Sequence, residues 1–263
     1  MRYPLIFLLL LQFRVYGQNS GPVVGAMGSG GTAVSGIWGL HKNPAGISGA
    51  DRAKLAIAYE RHFLDAEVNT KTALFILPVQ DNVLGLSFNT YGFDEYREQQ
   101  AGLFFAKKFG DSFRLGAGLK YHQLSIFQYG SAKAYTVEIG FQLKLTSNVT
   151  IASNIVNPNR SRYNDLSNSS LPVKISIGTA CRLSDRIYII GDIEKILNQP
   201  LDAMTGIEYN IINWFSLRGG ISANPFKQYA GFGLDYNKIQ IDLAVASHPR
   251  LGYSPQISLG YEF

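Results

Sequence analysis

The sequence is short of charge, cysteine and long apolar runs. Asp, Glu, Lys and Arg make up 16% of its 263 residues, whereas soluble domains carry about a quarter. No run of about 18 apolar residues occurs, which excludes a bundle of membrane-spanning helices. The single cysteine excludes a disulfide framework. The hydrophobic fraction of 46% in turn excludes an intrinsically disordered chain.

Aromatic residues and glycine are plentiful, and apolar and polar residues alternate along the chain. Aromatics account for 13% of the residues, and there are 27 glycines. In one segment Tyr135, Val137 and Ile139 alternate with Thr136 and Glu138. Such alternation over segments of about ten residues is typical of transmembrane β-strands, which turn apolar side chains to lipid and polar ones to the lumen. We therefore predict an all-β fold, an antiparallel transmembrane β-barrel.

The alternating segments predict fourteen strands, an even number as single-chain bacterial barrels have. We place them near 54–63, 70–79, 83–92, 96–109, 112–125, 132–146, 148–157, 171–183, 186–195, 201–210, 213–221, 227–236, 239–247 and 254–263. Tight turns alternate with longer links, such as those at 93–95, 158–170 and 222–226. Because periplasmic turns are short and external loops longer, both termini are predicted to be periplasmic. The predicted location is the bacterial outer membrane.

The region before the first strand divides into two parts. A basic start, an apolar run from Leu5 to Leu11 and small residues before Gln18 predict a signal peptide over 1–17. Residues 18–52 are rich in glycine and do not alternate. Glycine lets a backbone approach a wall closely, so this segment is predicted to be a hatch that plugs the barrel formed by 53–263.

Ionisable residues of both signs fall on the lumen-facing positions of neighbouring strands. Interleaved signs favour ion pairs that fill the lumen, whereas a selective pore segregates its charges at a constriction. The predicted polar network consists of Arg114, Lys120, Glu138, Glu208, Arg218 and Asp242. The other ionisable residues predicted to face the lumen are Lys54, Glu60, Lys144, Lys174, Asp192, Asp235 and Glu262.

Two stretches are apolar on both faces, Ala73–Leu77 and Ile187–Ile190. Two explanations stay open. Either something apolar lies inside the barrel against these strands, or the strands pack against a partner.

No constellation of residues indicates catalysis, a metal or a cofactor. The four histidines lack metal-ligand spacing. No nucleophile, base and orienting group can be placed together. No basic cluster indicates nucleic-acid binding. We therefore predict a protein that is not an enzyme and has no cofactor, no metal and no nucleic-acid partner.

Several stretches together resemble the FadL/PorV superfamily of outer-membrane barrels. The first is Gly25–Ala33, which contains Gly28, Gly30 and Gly31 and is followed by Asn43-Pro44-Ala45-Gly46. It looks like the hatch signature of that family. The closing stretches are Gly206–Tyr209, Leu217–Gly220, Gly231–Leu234 and Ile257–Phe263. The resemblance implies a fourteen-stranded barrel with an N-terminal hatch, in which Gly28, Gly30, Gly31, Asn43, Pro44 and Gly46 seat the hatch on the wall. In the transporters of the family, the Asn-Pro motif lies beside a lateral opening.

The closing segment of the chain ends on Tyr261-Glu262-Phe263. An aromatic end after an alternating strand looks like the signal read by the barrel-assembly machinery, with Tyr261 and Phe263 as its residues.

The chain is much shorter than the fatty-acid channels of this family, and its loops are short. On this ground it resembles the compact PorV- and PorQ-like members. These are found in outer-membrane complexes for type IX secretion or barrel assembly. The resemblance predicts a non-enzymatic accessory subunit that contacts outer-membrane lipid and a larger barrel protein in a hetero-complex. The alternative is a FadL-like channel for small hydrophobic molecules.

Overall fold

The structure, a computed structural model, describes residues 21–64, 67–164 and 170–263. The predicted signal peptide and the first three residues of the predicted hatch lie outside the described residues. The strands are β1 Lys54–Arg61, β2 Asn69–Val79, β3 Asn82–Phe93, β4 Tyr96–Phe109, β5 Phe113–Ile126, β6 Gly130–Lys144, β7 Val149–Val156, β8 Lys174–Arg182, β9 Ile187–Ile196, β10 Leu201–Ile212, β11 Phe215–Ala223, β12 Phe226–Tyr236, β13 Ile239–His248 and β14 Gly252–Glu262.

These fourteen strands form a closed antiparallel barrel. Each strand pairs with the next along the chain, and β1 closes the sheet on β14, from Lys54 opposite Glu262 to Glu60 opposite Gln256. Beyond the last pair, the amide of Phe263 donates a hydrogen bond to the carbonyl of Ala53 at 3.0 Å. Closure satisfies the backbone groups of both edge strands, which a sheet in lipid requires. The predicted fold class is confirmed.

The side chains alternate between lumen and lipid along every strand. On β6, Glu138 is 1% exposed while its neighbour Ile139 is 46% exposed. The exposed set is rich in Leu, Ile, Phe and Tyr across the whole barrel. An apolar exterior around a polar interior identifies the outward face as the surface that contacts lipid.

The connections at the two ends of the barrel differ less in length than the sequence predicted. We call the end that carries Lys54 and Glu262 the terminal end, and the opposite end the loop end. At the loop end, β1–β2 and β7–β8 are joined by long links, but β3–β4 and β11–β12 are joined by two residues each. The predicted links at 93–95 and 222–226 are therefore tight turns. The strands on either side continue their ladders until Phe93 pairs with Tyr96 and Ala223 with Phe226.

The segment before β1 folds inside the barrel. It contains a short helix α1, Gly21–Ala26, and two short 3₁₀ helices, Ile37–His41 and Pro44–Ile47. None of the helices in the described residues has the length and apolar character to span a bilayer. α1 contacts β11–β14, the first 3₁₀ helix contacts β1 and β2, and the second contacts β4–β6. We refer to residues 21–53 as the hatch.

An apolar core joins the hatch to the inner wall. Trp38, Leu40 and Ile47 of the hatch are buried in one cluster with wall residues of several strands. The wall members include Leu74 and Ile76 of β2 and Ile190 of β9. These strands were apolar on both faces in the sequence. The apolar material inside the barrel is the hatch itself, so their inner faces require no partner protein.

Candidate functional site: a plugged lumen beside a groove in the wall

Glycines of the hatch and of the wall face each other at contact distance. A Cβ atom on Gly28 would lie 2.7 Å from the carbonyl oxygens of Thr205 and Ile221. On the wall, a Cβ on Gly206 would lie 2.4 Å from the carbonyl oxygen of Met27, and one on Gly220 would lie 2.2 Å from the amide nitrogen of Gly28. Gly28 also has a φ of 81°, in the left-handed region that favours glycine. The hatch therefore approaches β10 and β11 backbone to backbone.

Gly30 and Gly31 lie against the carboxylate of Asp192 on β9. The amides of Gly31 and Thr32 donate to the two oxygens of Asp192 at 2.9 and 2.8 Å. A Cβ on Gly30 would lie 2.8 Å from the same carboxylate. The sequence placed Asp192 only as a lumen-facing charge. The structure gives it two backbone hydrogen bonds that hold the hatch.

Asn43 connects the hatch to the other side of the barrel. Its Oδ1 accepts a hydrogen bond from the amide of Ala45 at 3.0 Å and so caps the second 3₁₀ helix, which begins at Pro44. Its Nδ2 donates to the carbonyl of Thr32 at 2.9 Å and to that of Phe141 on β6 at 3.0 Å. One side chain thus joins two parts of the hatch to the wall.

Wall glycines leave the space that Asn43 and its neighbours occupy. A Cβ on Gly140 would lie 2.0 Å from Asn43 Oδ1, and one on Gly116 would lie 2.3 Å from the amide nitrogen of Ala45. Within the hatch, a Cβ on Gly46 would lie 2.6 Å from the carbonyl oxygen of Val34. The six residues of the predicted hatch motif thus all lie at hatch–wall or hatch–hatch contacts.

Polar side chains of the wall satisfy further backbone groups of the hatch. Gln142 Nε2 donates to the carbonyl of Val34 at 3.1 Å, and Asn154 Nδ2 donates to that of Lys42 at 2.9 Å. Sequence reasoning did not single out either residue as a site residue. For Asn154 the alternation of side chains could have indicated the role, because this residue faces the lumen on β7 directly opposite Gly140.

The predicted lumen network divides into separate clusters. Lys120 pairs with Glu138 at 2.8 Å. On the far side of the barrel, Arg218 pairs with Glu208 at 2.6 Å and with Asp242 at 2.7 Å. All five side chains are largely buried, and a buried charge is stable only when it is paired.

Arg114, the sixth predicted member, contacts the hatch rather than a carboxylate. Its Nη1 donates to Ser35 Oγ at 2.8 Å, and it forms no ion pair among the described residues. Sequence reasoning missed a further ion pair, between Lys174 and Glu194 at 3.5 Å. Glu194 shares the inward face of β9 with Asp192, so the alternation alone could have found it.

The hatch brings two ionisable residues into this interior, His41 and the buried Lys42. Burial, together with Lys120, Lys42 and Lys174 nearby, lowers the pKa of His41 to about 3, so its ring is neutral near pH 7. A polar cavity of about 860 Å³ remains at the terminal end, with Arg218, Glu208 and Asp242 among its lining residues. The lining contains four carboxylates, Asp185, Glu208, Asp235 and Asp242, and two arginines, Arg186 and Arg218, so negative charge is in excess there.

His62 is the one histidine whose contacts invite comparison with a catalytic site. Its Nδ1 lies 3.6 Å from Glu60 Oε1, and its Nε2 lies 2.8 Å from Thr70 Oγ1. A nucleophile must reach its substrate, but Thr70 is completely buried. This arrangement is therefore structural. Among the described residues, no group of His, Cys, Asp and Glu could hold a metal ion.

An apolar groove of about 520 Å³ marks the lipid-facing wall of β1–β6. Large outward side chains such as Phe88, Leu103 and Tyr121 surround it, and the small Ala73 and Ala101 lie between them. Its lining also includes inward-facing residues of the wall, Leu74, Ser87 and Gly102. Leu74 belongs to the apolar core that holds the hatch. At this point the lipid surface and the hatch core are separated only by the sheet.

The C-terminal aromatics lie on the lipid face beside the closing seam. The rings of Tyr261 and Phe263 are 5.0 Å apart and meet edge to face. Between them, Glu262 turns inward and pairs with Lys54 at 2.6 Å. The role of the two aromatics as an assembly signal stays a prediction.

Together these features define a class of protein: a fourteen-stranded outer-membrane barrel whose lumen is closed by an N-terminal hatch. No family model and no curated protein matches the chain. Solved structures do match it over almost its whole length. The toluene transporter TodX of Pseudomonas putida has 13% sequence identity and a TM-score of 0.70, covering 92% of this chain and 96% of that one.

Two further structures agree with the first. The toluene transporter TbuX of Ralstonia pickettii has 12% identity and a TM-score of 0.69, covering 94% of this chain and 99% of that one. A FadL homologue of Pseudomonas aeruginosa has 11% identity and a TM-score of 0.65, covering 92% and 98%. Identities this low show a shared fold, and a fold does not by itself establish a function. The fold of FadL-type barrels indicates an outer-membrane location.

These neighbours correct the predicted function. TodX and TbuX are toluene transporters, so the prediction of an accessory subunit for secretion or barrel assembly is wrong. They also give no support to the finer resemblance to PorV- and PorQ-like members. The prediction was drawn from the short loops, the PorV-like ends and the mixed charges of the lumen, and the charges were taken as evidence against a channel. Such charges are equally required wherever a hatch and a polar wall fill a lumen together. The larger partner barrel stays an untested prediction.

The contact at Gly140 makes the seating of the hatch testable. We expect Gly140→Ala to lower the free energy of unfolding by about 1–3 kcal/mol, the usual cost of overpacking a filled interior. The measurement is denaturant unfolding of the purified barrel. Gly219→Ala is the matched control, since a Cβ there lies 3.9 Å from its nearest neighbour. Equal stability of the two variants would show that the hatch does not rest on Gly140.

The carboxylate of Asp192 supports a second prediction. Asp192→Asn keeps the shape of the side chain but replaces one of its two acceptor oxygens by an NH₂ group. That donor then faces a backbone N–H of the hatch, which is also a donor. We expect faster hydrogen exchange across residues 25–34, since a buried unpaired donor costs about 1–3 kcal/mol. Asp235→Asn is the control, because Asp235 is lumen-facing but exposed. Unchanged protection in Asp192→Asn would contradict the assigned hydrogen bonds.

Proposed function

We propose that the protein is a channel through which small hydrophobic molecules cross the outer membrane. It carries out no chemistry. The observation that carries the proposal is the wall groove, whose lining combines lipid-facing and lumen-facing residues next to the apolar core of the hatch. An apolar solute needs a path that avoids water, and the groove provides apolar surface on the bilayer side of such a path.

The structural neighbours support the same proposal. TodX and TbuX are toluene transporters, and the FadL homologue shares their fold. A small apolar molecule, such as a monoaromatic hydrocarbon, is the solute class that this similarity favours.

We further propose that the terminal end faces the periplasm. The long links β1–β2 and β7–β8 both lie at the loop end, and external loops are usually the longer ones.

At the groove, the wall of the barrel carries small side chains on both of its faces. Ala101 is small and faces lipid, and its neighbour Gly102 contributes no side chain to the inner face. A Cβ on Gly102 would lie 2.6 Å from Ser87 Oγ and from the ring of Phe104. Substitution at Gly102 would therefore disturb the inner wall, whereas substitution at Ala101 fills the groove from outside.

Filling the groove tests the proposal. We expect Ala101→Trp to reduce uptake of radiolabelled toluene to the level of cells that lack the protein, because the indole occupies the groove. The assay uses cells expressing equal amounts of folded barrel, checked by heat-modifiable migration on gels. Ala203→Trp is the matched control, since Ala203 is an exposed, lipid-facing alanine on β10. Full uptake by Ala101→Trp, or an equal loss in Ala203→Trp, would overturn the proposal.

A further inference from the structure

The charges of the strands are sorted by face. Every carboxylate in the described strands faces the lumen: Glu60, Glu98, Glu138, Asp192, Glu194, Asp202, Glu208, Asp235, Asp242 and Glu262. The charged residues that face outward are all basic: Arg61, Lys71, Arg97, Lys107, Lys133 and Lys195. The lipid-facing wall is therefore purely cationic wherever it carries charge.

These outward cations are concentrated on one part of the wall. Arg61, Lys71, Arg97 and Lys133 lie at the loop end of β1–β6, whereas β7–β14 contribute only Lys195. The Nζ of Lys195 donates to the carbonyl of Gln199 at 2.5 Å. Lys71 and Lys133 form no ion pair among the described residues, and Arg97 lies 3.7 Å from the fully exposed Asp94. In this part of the wall, Lys71 and Lys133 therefore have no carboxylate of the described residues within ion-pair distance.

Lys71 and Lys133 lie at the two ends of one row of side chains that runs across the sheet. The cross-strand register aligns Lys71, Thr90, Gln99, Gln123 and Lys133 on β2 to β6, all on the outer face. With strands about 4.8 Å apart, the two lysines are roughly 19 Å from each other. Between them lie only hydroxyl and amide side chains. The row therefore offers cations at both sides and hydrogen-bonding groups in the middle.

The next row toward the middle of the membrane is the apolar groove. The register aligns Ala73, Phe88, Ala101, Tyr121 and Tyr135, and all five line the groove. The two tyrosine rings are 5.4 Å apart. The hydroxyl of Tyr121 donates to Gln123 Oε1 at 2.9 Å, so its polar tip points to the polar row. Two residues further along each strand, the outer surface changes from cationic and polar to apolar.

We propose that this face binds an anionic phospholipid of the membrane. Its phosphate would lie over the polar row, about 10 Å from the Cα of each lysine, where the positive charges of Lys71 and Lys133 both attract it. An acyl chain would lie in the groove. Basic side chains near a membrane surface attract anionic lipids, and the groove supplies the matching apolar surface directly below. The site does not depend on conduction by the barrel, because both rows lie on the outer face.

The test compares lipid affinities of the full-length purified barrel by native mass spectrometry. Phosphatidylglycerol and phosphatidylcholine are titrated separately into detergent solutions of the wild type and two double variants. We expect the wild type to prefer phosphatidylglycerol. We expect Lys71→Gln/Lys133→Gln to bind phosphatidylglycerol about thirtyfold more weakly, the effect of two interfacial cations, and to lose the preference. Lys107→Gln/Lys195→Gln removes two outward cations away from the groove and should keep it.

A second experiment distinguishes binding of the whole lipid from binding of phosphate alone. Inorganic phosphate should fail to displace phosphatidylglycerol, because it lacks the chain that fills the groove. Ala101→Trp should weaken binding of both lipids and preserve the preference between them. Equal affinity of the wild type for the two lipids, an equal loss in the control variant, or displacement by inorganic phosphate would each overturn the proposal. Because no transport is measured, failure of the proposed channel would leave these results unaffected.

Discussion

The backbone contact between the hatch and the wall glycines is the constraint on which the rest of the structure depends. Side chains alone can fill a barrel of about eight strands, but wider barrels leave an open lumen. Here the lumen of fourteen strands is filled by a second layer of backbone. That layer fits only where the wall has no side chain, as at Gly116, Gly140, Gly206 and Gly220. The glycine content of the sequence therefore has two origins, the hatch itself and the wall positions opposite it.

A buried backbone segment brings polar groups that must be paired. Inside this barrel the partners come from wall side chains, chiefly Asp192, Asn154 and Gln142, and from Asn43 of the hatch. Several other ionisable groups of the lumen pair with each other, as Arg218 does with Glu208 and Asp242. All carboxylates of the described strands face inward, and the charged residues of the outer wall are all basic. The interior contacts and the charge of the lipid face are two results of one arrangement.

The fold was predictable because the alternation of side chains determines both strand position and facing. β4 was predicted at its observed bounds, Tyr96–Phe109, and the count of fourteen is confirmed. Link lengths were less predictable, since β3 continues one residue beyond its predicted end, to Phe93, and so shortens the turn before β4. The inner partners of Leu74 and Ile190 could not be found from sequence. They belong to a hatch whose glycine-rich sequence has no period that reveals where it packs. The predicted function failed because charge pairing in the lumen is required by the hatch and does not distinguish one task from another.

The central claim is that the lumen is closed by a packed, hydrogen-bonded hatch, so that an apolar solute must use the wall rather than an aqueous pore. Single-channel recording of the intact barrel in planar lipid bilayers tests this most directly. The account predicts no sustained ionic current above that of the bare bilayer, because apolar core and paired charges occupy the lumen. Large, stable ionic channels formed by the intact barrel would contradict it.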